Sequence, residues 1–225
     1  MPTAKFLGHA CVYISEGKHS FIIDPFLTGN PMAAASAEDI KCEYIILTHS
    51  HDDHFGDTPA IAKRNKAKVI ACFELAMFCA KQGLEVIDLG IGGSRHFDFG
   101  RIKFTIAHHG SGQGHYAEIY TGPPSGVLLT IGGKTLYHSG DTALFYDMKL
   151  IGEMNKIDIA FLPIGDNYTM GIDDAAKAVE FLNPKKVVPI HYNTFPPIKQ
   201  DPNEFAKKVK NAEVVILKPG ESVQY

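Results

Sequence analysis

Residues 44–54 read Tyr-Ile-Ile-Leu-Thr-His-Ser-His-Asp-Asp-His. The first five form a short continuous apolar run of the kind a buried strand makes. The run stops abruptly at His49, Ser50, His51, Asp52, Asp53 and His54. Such a cluster at a strand end sits where loops carry function. In an extended segment His49 and His51 project to the same side and can share one cation. Asp53 and His54, where the chain turns, can face a second. Imidazole nitrogen and carboxylate oxygen suit Zn²⁺, Mn²⁺ or Fe²⁺, with no thiolate involved. With 11 histidines and 14 aspartates in 225 residues, His-x-His-x-Asp-His is expected ~0.002 times by chance, so a coincidental polar loop does not explain it.

Working outward, residues 1–25 give three strands, AKFLG, CVYIS and HSFIID, with a turn at Glu16-Gly17-Lys18 and a stop at Pro25. A short helix is expected in MAAASAEDI, and a longer one begins near Asp57 with Pro59 in its first turn. Strand KVIAC precedes helix FELAMFCAKQG, which Gly83 closes. LEVIDL, RHFDFG and RIKFTIAHH follow as strands, then a glycine-rich stretch to about Glu118, where Gly112, Gly114 and His115 are expected to form a mobile loop over the site. GVLLTI and KTLYHS make a hairpin about Gly132-Gly133. A helix over 144–154, strand IDIAFLPI, helix DDAAKAVEFL, strand KKVVPIH, helix PNEFAKKVK and strand AEVVILK complete the order. An internal echo runs through it: Gly17-Lys18 leads through an apolar strand to Asp24, and Gly133-Lys134 leads through another to Asp141. That spacing suggests two related halves of one domain spanning residues 1–225.

Composition narrows the function classes. Hydrophobic content of 45% and charged content of 21% fit an ordinary globular chain. A net charge of −3 with no basic block argues against a nucleic-acid partner. No stretch reaches the ~18 apolar residues a membrane span requires. MPTAKFLGHACVYIS lacks a basic region followed by an apolar one, so no signal peptide is expected. Cys11, Cys42, Cys72 and Cys79 contain no Cys-x-x-Cys pair and read as reduced, which predicts a cytoplasmic chain. The glycines at 110–114 and 122–126 do not match a phosphate loop, and no Gly-x-Ser-x-Gly elbow occurs.

Thr-His-Ser-His-Asp-Asp-His resembles the signature of the metallo-β-lactamase superfamily of binuclear metal hydrolases. The family's other landmarks follow in order: Ala107-His108-His109-Gly110-Ser111, Ser139-Gly140-Asp141-Thr142 and Pro189-Ile190-His191-Tyr192. LGHAC, IDPFLTGNP, LPIGDNYTMG and PIHYNTFP are similar to a branch of metal-dependent hydrolases related to the L-ascorbate-6-phosphate lactonases. The resemblance covers nearly the whole chain. It implies an α/β fold, a four-layer αββα sandwich of two mixed sheets with helices outside.

The resemblance also implies roles. His49, His51 and His109 would bind a first cation, Asp53, His54 and His191 a second, and Asp141 would bridge them. Adjacent strand residues face opposite ways, so only one of His108 and His109 points inward; the Gly-Ser that follows matches the family pattern at His109. Asp24 reads either as a strand-end turn former or as a carboxylate orienting a ligand histidine. His9 and Asn193 are candidate substrate-side groups. His138 is expected to pack in its strand, and His19 and His96 to lie on the surface. The implied activity uses two divalent cations per chain, Zn²⁺ or Mn²⁺ with Fe²⁺ also suited, and a bridging hydroxide that attacks an ester, lactone or phosphodiester of a small anionic substrate. A metal-bound water or Asp53 would return a proton to the leaving group. Homo-oligomers are compatible with the sequence. Alternatives are a single-iron thiol dioxygenase, a nuclease or phosphodiesterase of the same fold, and a non-catalytic metal-binding protein. The chain lacks the long inserted arm of a transfer-RNA-processing nuclease, and flavodiiron proteins carry Glu where His51 stands.

Overall fold

The computed structural model describes residues 1–114 and 117–225; His115, expected in the loop over the site, lies outside the described residues. Strands are β1 (Thr3–Gly8), β2 (Cys11–Glu16), β3 (His19–Ile23), β4 (Tyr44–Ile46), β5 (Lys68–Cys72), β6 (Val86–Leu89), β7 (Ser94–Phe97), β8 (Gly100–Ile106), β9 (Gly112–Gln113), β10 (Ile119–Tyr120), β11 (Ser125–Ile131), β12 (Lys134–His138), β13 (Ile159–Pro163), β14 (Lys186–Ile190), β15 (Glu213–Val214) and β16 (Ser222–Gln224). Helices are α1 (Asp52–Phe55), α2 (Thr58–Asn65), α3 (Phe73–Lys81), α4 (Met148–Met154), α5 (Ile172–Leu182) and α6 (Pro202–Lys208).

Two seven-stranded sheets carry the molecule, ordered β16-β1-β2-β3-β4-β5-β6 and β7-β8-β11-β12-β13-β14-β15. Taken in those orders, each runs antiparallel through its first four strands and parallel through its last four. The internal echo in the sequence is therefore a repeated sheet topology. Gly17-Lys18 and Gly132-Gly133 turn equivalent hairpins, with Lys134 already in β12, and Asp24 and Asp141 follow the equivalent strands β3 and β12.

Side-chain alternation divides three cores. Along β2 and β3, Val12, Ile14, Phe21 and Ile23 face the other sheet, where Ile102, Phe104, Val127, Leu129, Ile159, Phe161 and Val188 meet them. The residues between, such as Cys11, Ile22, Ile45 and Val69, pack under α2 and α3 through Ile61, Leu75, Ala76 and Cys79. On the opposite outer face Leu128, Tyr137, Ala160 and Leu162 lie under Met148 of α4, Ala175, Ala178, Val179 and Leu182 of α5 and Phe205 of α6. The chain is thus a four-layer αββα sandwich, with its sheets joined through an apolar centre. Among the described residues no helix is long and apolar enough to cross a membrane.

The topology places the site. In the first sheet β1, β3, β4 and β5 point the same way, and in the second β8, β12, β13 and β14 do. His9, Asp24, His49, His109, Asp141 and His191 each follow the end of one of these strands. All the sequence's landmarks therefore gather along the carboxyl edges, where open α/β sheets bind ligands.

Local expectations differ in several places. MAAASAEDI forms only a 3₁₀ turn at Ala37–Asp39. Arg64 and Asn65 of α2 donate to the carbonyls of Ala37 and Ile40, which a longer helix would have kept for itself. The 144–154 helix starts at Met148. In the glycine-rich stretch β9 and β10 pair as a small ribbon. AEVVILK is a strand only at Glu213–Val214, and the chain then turns back so that β16 pairs with β1. His19 is half-buried rather than on the surface, with Nδ1 3.2 Å from Glu43.

Candidate metal centre

After β4 the chain runs through His49 and His51 and then makes the single turn α1, with Asp52 and Asp53 at its amino end, where the helix dipole favours negative charge. Gly56 ends that turn at φ 41; a Cβ there would lie 2.5 Å from the Pro25 carbonyl oxygen, so no other residue fits. The bend throws Asp53 and His54 to one side of His49 and His51. Nε2 of His49 and Nδ1 of His51 face each other at 3.1 Å. His109 closes this group, its ring centroid 5.2 Å from His49 and 5.1 Å from His51. His108 is exposed and rests against Phe145 at 4.9 Å.

A second group forms from Asp53, His54 and His191, with His9 beside them, their ligating atoms lying within 4.8 Å of one another. Asp141 stands between the groups: its Oδ2 is 3.0 Å from His191 Nε2, 3.3 Å from His54 Nε2 and 3.6 Å from His109 Nε2. Among the described residues, His54 Nε2, both ring nitrogens of His191 and Asp141 Oδ1 are buried without a hydrogen-bond partner. Orphaned buried donors and acceptors are costly. Of these, His54 Nε2, His191 Nε2 and Asp141 Oδ1 lie together, an imidazole and carboxylate set that bound metal would satisfy. The four cysteines are buried elsewhere and offer no thiolate.

Behind the ligand atoms lies a fixed shell. Asp24, wholly buried, accepts from Thr48 N at 2.9 Å, Thr48 Oγ1 at 2.6 Å and His54 Nδ1 at 2.8 Å. Thr48 Oγ1, having donated to Asp24, accepts from His49 Nδ1 at 3.0 Å. One carboxylate thereby places the proton of both His49 and His54 on Nδ1 and turns each Nε2 lone pair toward the centre. Of the two readings of Asp24, the geometry favours the orienting one.

The electrostatics follow from burial and these pairings. Burial holds the imidazoles of His49, His51 and His109 below their ordinary pKa, so they are neutral and ready to ligate. Burial opposes charge on His54 as well, but Asp141 and Asp24 outweigh it and raise its pKa. Burial would raise the Asp141 carboxyl, yet His191 and His54 hold it well below the usual carboxylate range. Asp53 is depressed likewise, by His54 and by its bond to His9. Burial, with the charge of His191, lowers His9 to about 4.

His9 is buried, with Nε2 on Asp53. Asn193 is exposed; its Oδ1 accepts from Gln200 N at 2.9 Å and closes a loop. That loop borders a cleft of about 750 Å³ lined by Asn193, Thr194, Phe195, Lys199, Gln200 and Asp201. Sequence reasoning missed Thr48 and Thr194 and gave His138 only a packing role. A hydroxyl immediately before His49 was a usable signal for Thr48; Thr194 carries none.

A two-layered donor set of this kind on an αββα sandwich defines a metal-dependent hydrolase of the metallo-β-lactamase superfamily. Residues 19–192 match the family model described as beta-lactamase superfamily domain, and the chain belongs to that family. A UPF0173 metal-dependent hydrolase of Bacillus cereus strain G9842 is 53% identical over 219 residues, covering 96% of each chain. The structure of Igni18, a novel metallo hydrolase from the archaeon Ignicoccus hospitalis, superposes with a TM-score of 0.91 at 37% identity, covering 99% of this chain and 97% of that one. The metallo-beta-lactamase fold protein YhfI of Bacillus subtilis shares the fold with a TM-score of 0.75 at 14% identity, covering 100% of each.

Proposed function

We propose that the chain hydrolyses an ester, lactone or phosphodiester of a small anionic substrate with two divalent cations, Zn²⁺ or Mn²⁺, Fe²⁺ being chemically admissible. The observation that carries this reading is the position of Asp141 Oδ2, within 3.6 Å of Nε2 atoms belonging to both histidine groups. His49, His51 and His109 would hold the first cation, Asp53, His54 and His191 the second, with Asp141 between the two groups. Such a pair, when bound, lowers the pKa of water toward neutrality and polarises a substrate oxygen. Asp24 and Thr48 would hold the Nδ1 protons of His54 and His49, leaving each Nε2 to ligate when a cation binds. Asp53, whose side chain is 32% exposed, would take up the proton released by the attacking water and return it to the departing alkoxide.

Lys199 beside Asp201 in the neighbouring cleft gives a small patch of mixed charge. That suits one anionic group and not a polymer backbone, which needs several basic contacts. A single-iron dioxygenase requires only one histidine group; the buried, unpartnered nitrogens of His54 and His191 favour the two-cation reading.

The test is turnover of chromogenic esters, lactones and phosphodiesters by metal-stripped protein resupplied with Zn²⁺, Mn²⁺ or Fe²⁺, with RNA and small phosphorylated sugars as competitors. Cation-restored turnover inhibited by the small anions is expected. Micromolar inhibition by RNA that fades steeply with salt would transfer the proposal to a nuclease. No turnover with any cation would leave a metal-binding protein without catalysis.

A further inference from the structure

The turn joining β1 to β2 is built at conformational cost. Gly8 has φ +110, and a Cβ there would lie 2.6 Å from the Met32 carbonyl oxygen. His9 follows at φ 57. Non-glycine residues hold such conformations only where their surroundings over-determine them. Here the surroundings are the site itself. His9 Nδ1 meets Thr194 Oγ1 at 2.8 Å, and Nε2 meets Asp53 Oδ2 at 3.1 Å. The His9 carbonyl accepts from His191 N at 2.7 Å. The next carbonyl, of Ala10, accepts from His138 Nε2 at 2.9 Å, and His138 Nδ1 accepts from Gly140 N at 3.1 Å, one residue before Asp141. A single tripeptide of the first sheet thus registers the segments that bear Asp53, Asp141 and His191.

The partners decide the His9 tautomer. An ionised carboxylate only accepts, so Nε2 carries the proton toward Asp53, and Nδ1 accepts from the Thr194 hydroxyl. A nitrogen engaged in that way is not a ligand. Asp53, by contrast, is the partly exposed member of its group and would otherwise swing toward water. The repeated topology strengthens the point: His9 follows β1 where His109 follows β8, so at these equivalent strand ends one histidine faces the first cation group and the other a carboxylate.

We propose that His9 is a positioning residue for the second cation, its Nε2–H holding the Asp53 carboxylate toward His54 and His191 while Thr194 fixes the His9 tautomer. The inference rests on the two-cation reading. It is tested by Zn²⁺ binding to the metal-free chain, measured by chelator competition for wild type, His9→Ala, His9→Gln and Thr194→Val, with circular dichroism to establish folding and Co²⁺ absorption to report coordination. Partners of this kind are worth about 10- to 100-fold in metal affinity. His9→Ala is expected to weaken the second Zn²⁺ by that factor and leave the first unchanged. His9→Gln, whose amide N–H replaces Nε2–H, is expected to recover most of the loss with an unaltered Co²⁺ spectrum. Thr194→Val is expected to weaken the second Zn²⁺ less than His9→Ala does.

Unchanged second-site affinity in folded His9→Ala or in Thr194→Val would overturn the inference. Equal loss in His9→Gln and His9→Ala, with a changed Co²⁺ spectrum, would make His9 a ligand and overturn it too. Failure of wild type to take a second Zn²⁺ would remove the two-cation reading and this inference together. With two bound to wild type, any failure is confined to His9.

Discussion

Replacing Asp24 with Asn changes one atom and should disable both cation sites. In the native chain Asp24 Oδ2 receives the Thr48 hydroxyl at 2.6 Å and His54 Nδ1 at 2.8 Å, while Oδ1 receives Thr48 N at 2.9 Å. The amide oxygen of Asn can keep the Thr48 N–H. Its NH₂ then faces two donors. Thr48 Oγ1 can turn to accept from it, but the hydroxyl proton must then point toward His49 Nδ1, 3.0 Å away, and drives the His49 proton onto Nε2. His54 must likewise shift its proton to Nε2 to avoid a donor–donor contact. Both nitrogens needed for ligation become N–H. Loss of such a partner costs about 10- to 100-fold at each site, or about 1.4–2.7 kcal/mol. The metal-free chain should also lose about 1.5–3 kcal/mol of stability, the range for hydrogen bonds to a buried charge. Zn²⁺ affinity by chelator competition and urea unfolding of the metal-free protein measure the two effects separately. Zn²⁺ binding within threefold of wild type at both sites would refute the tautomer reasoning.

Asp141→Ala should lose metal and activity together, because one carboxylate serves both groups; two cations per chain with near-normal turnover would contradict the bridging role. His109→Ala should weaken the first cation about 100-fold, whereas His108→Ala, on the exposed side against Phe145, should have little effect; equal effects by Zn²⁺ titration would reverse the assignment. Away from the site, buried Asp158 accepts from Lys185 at 2.6 Å, Lys134 at 3.3 Å and Thr135 N at 3.0 Å. Burial alone would raise its carboxyl, and these donors outweigh burial and depress it. A depressed folded pKa means stability fully present above the unfolded value of ~3.9 and lost as pH falls through the folded one. Asp158→Asn should therefore cost about 1–2 kcal/mol at pH 7, with the lysines half in solvent, and progressively less below pH ~4. Denaturant unfolding across that range checks it; a pH-independent cost would contradict the pairing.

What the sequence made legible follows from which interactions are local. His49, His51, Asp53 and His54 sit in one turn after one strand, so their spacing alone brings them together. The echo between Asp24 and Asp141 was legible because a two-residue, glycine-bearing hairpin turn precedes both, and turn chemistry is written in neighbouring residues. The two-sheet architecture itself came through the family resemblance. β16 was not legible: Ser222–Gln224 has no apolar run, and it is a strand only because β1 offers it an edge. The direction of His9 was equally hidden. A histidine at a strand end reads the same whether it faces a cleft or a carboxylate 44 residues away. Thr194 reaches His9 across 185 residues, a contact no local pattern encodes.

The most direct test of the two-cation centre is the number of cations retained per folded chain. Metal-stripped protein is saturated with Zn²⁺ or Mn²⁺, freed of excess by gel filtration and analysed by elemental mass spectrometry against amino-acid analysis. Two per chain is the predicted result, since His49, His51 and His109 form one group and Asp53, His54 and His191 another, with Asp141 between them. One per chain with every metal tried would contradict it.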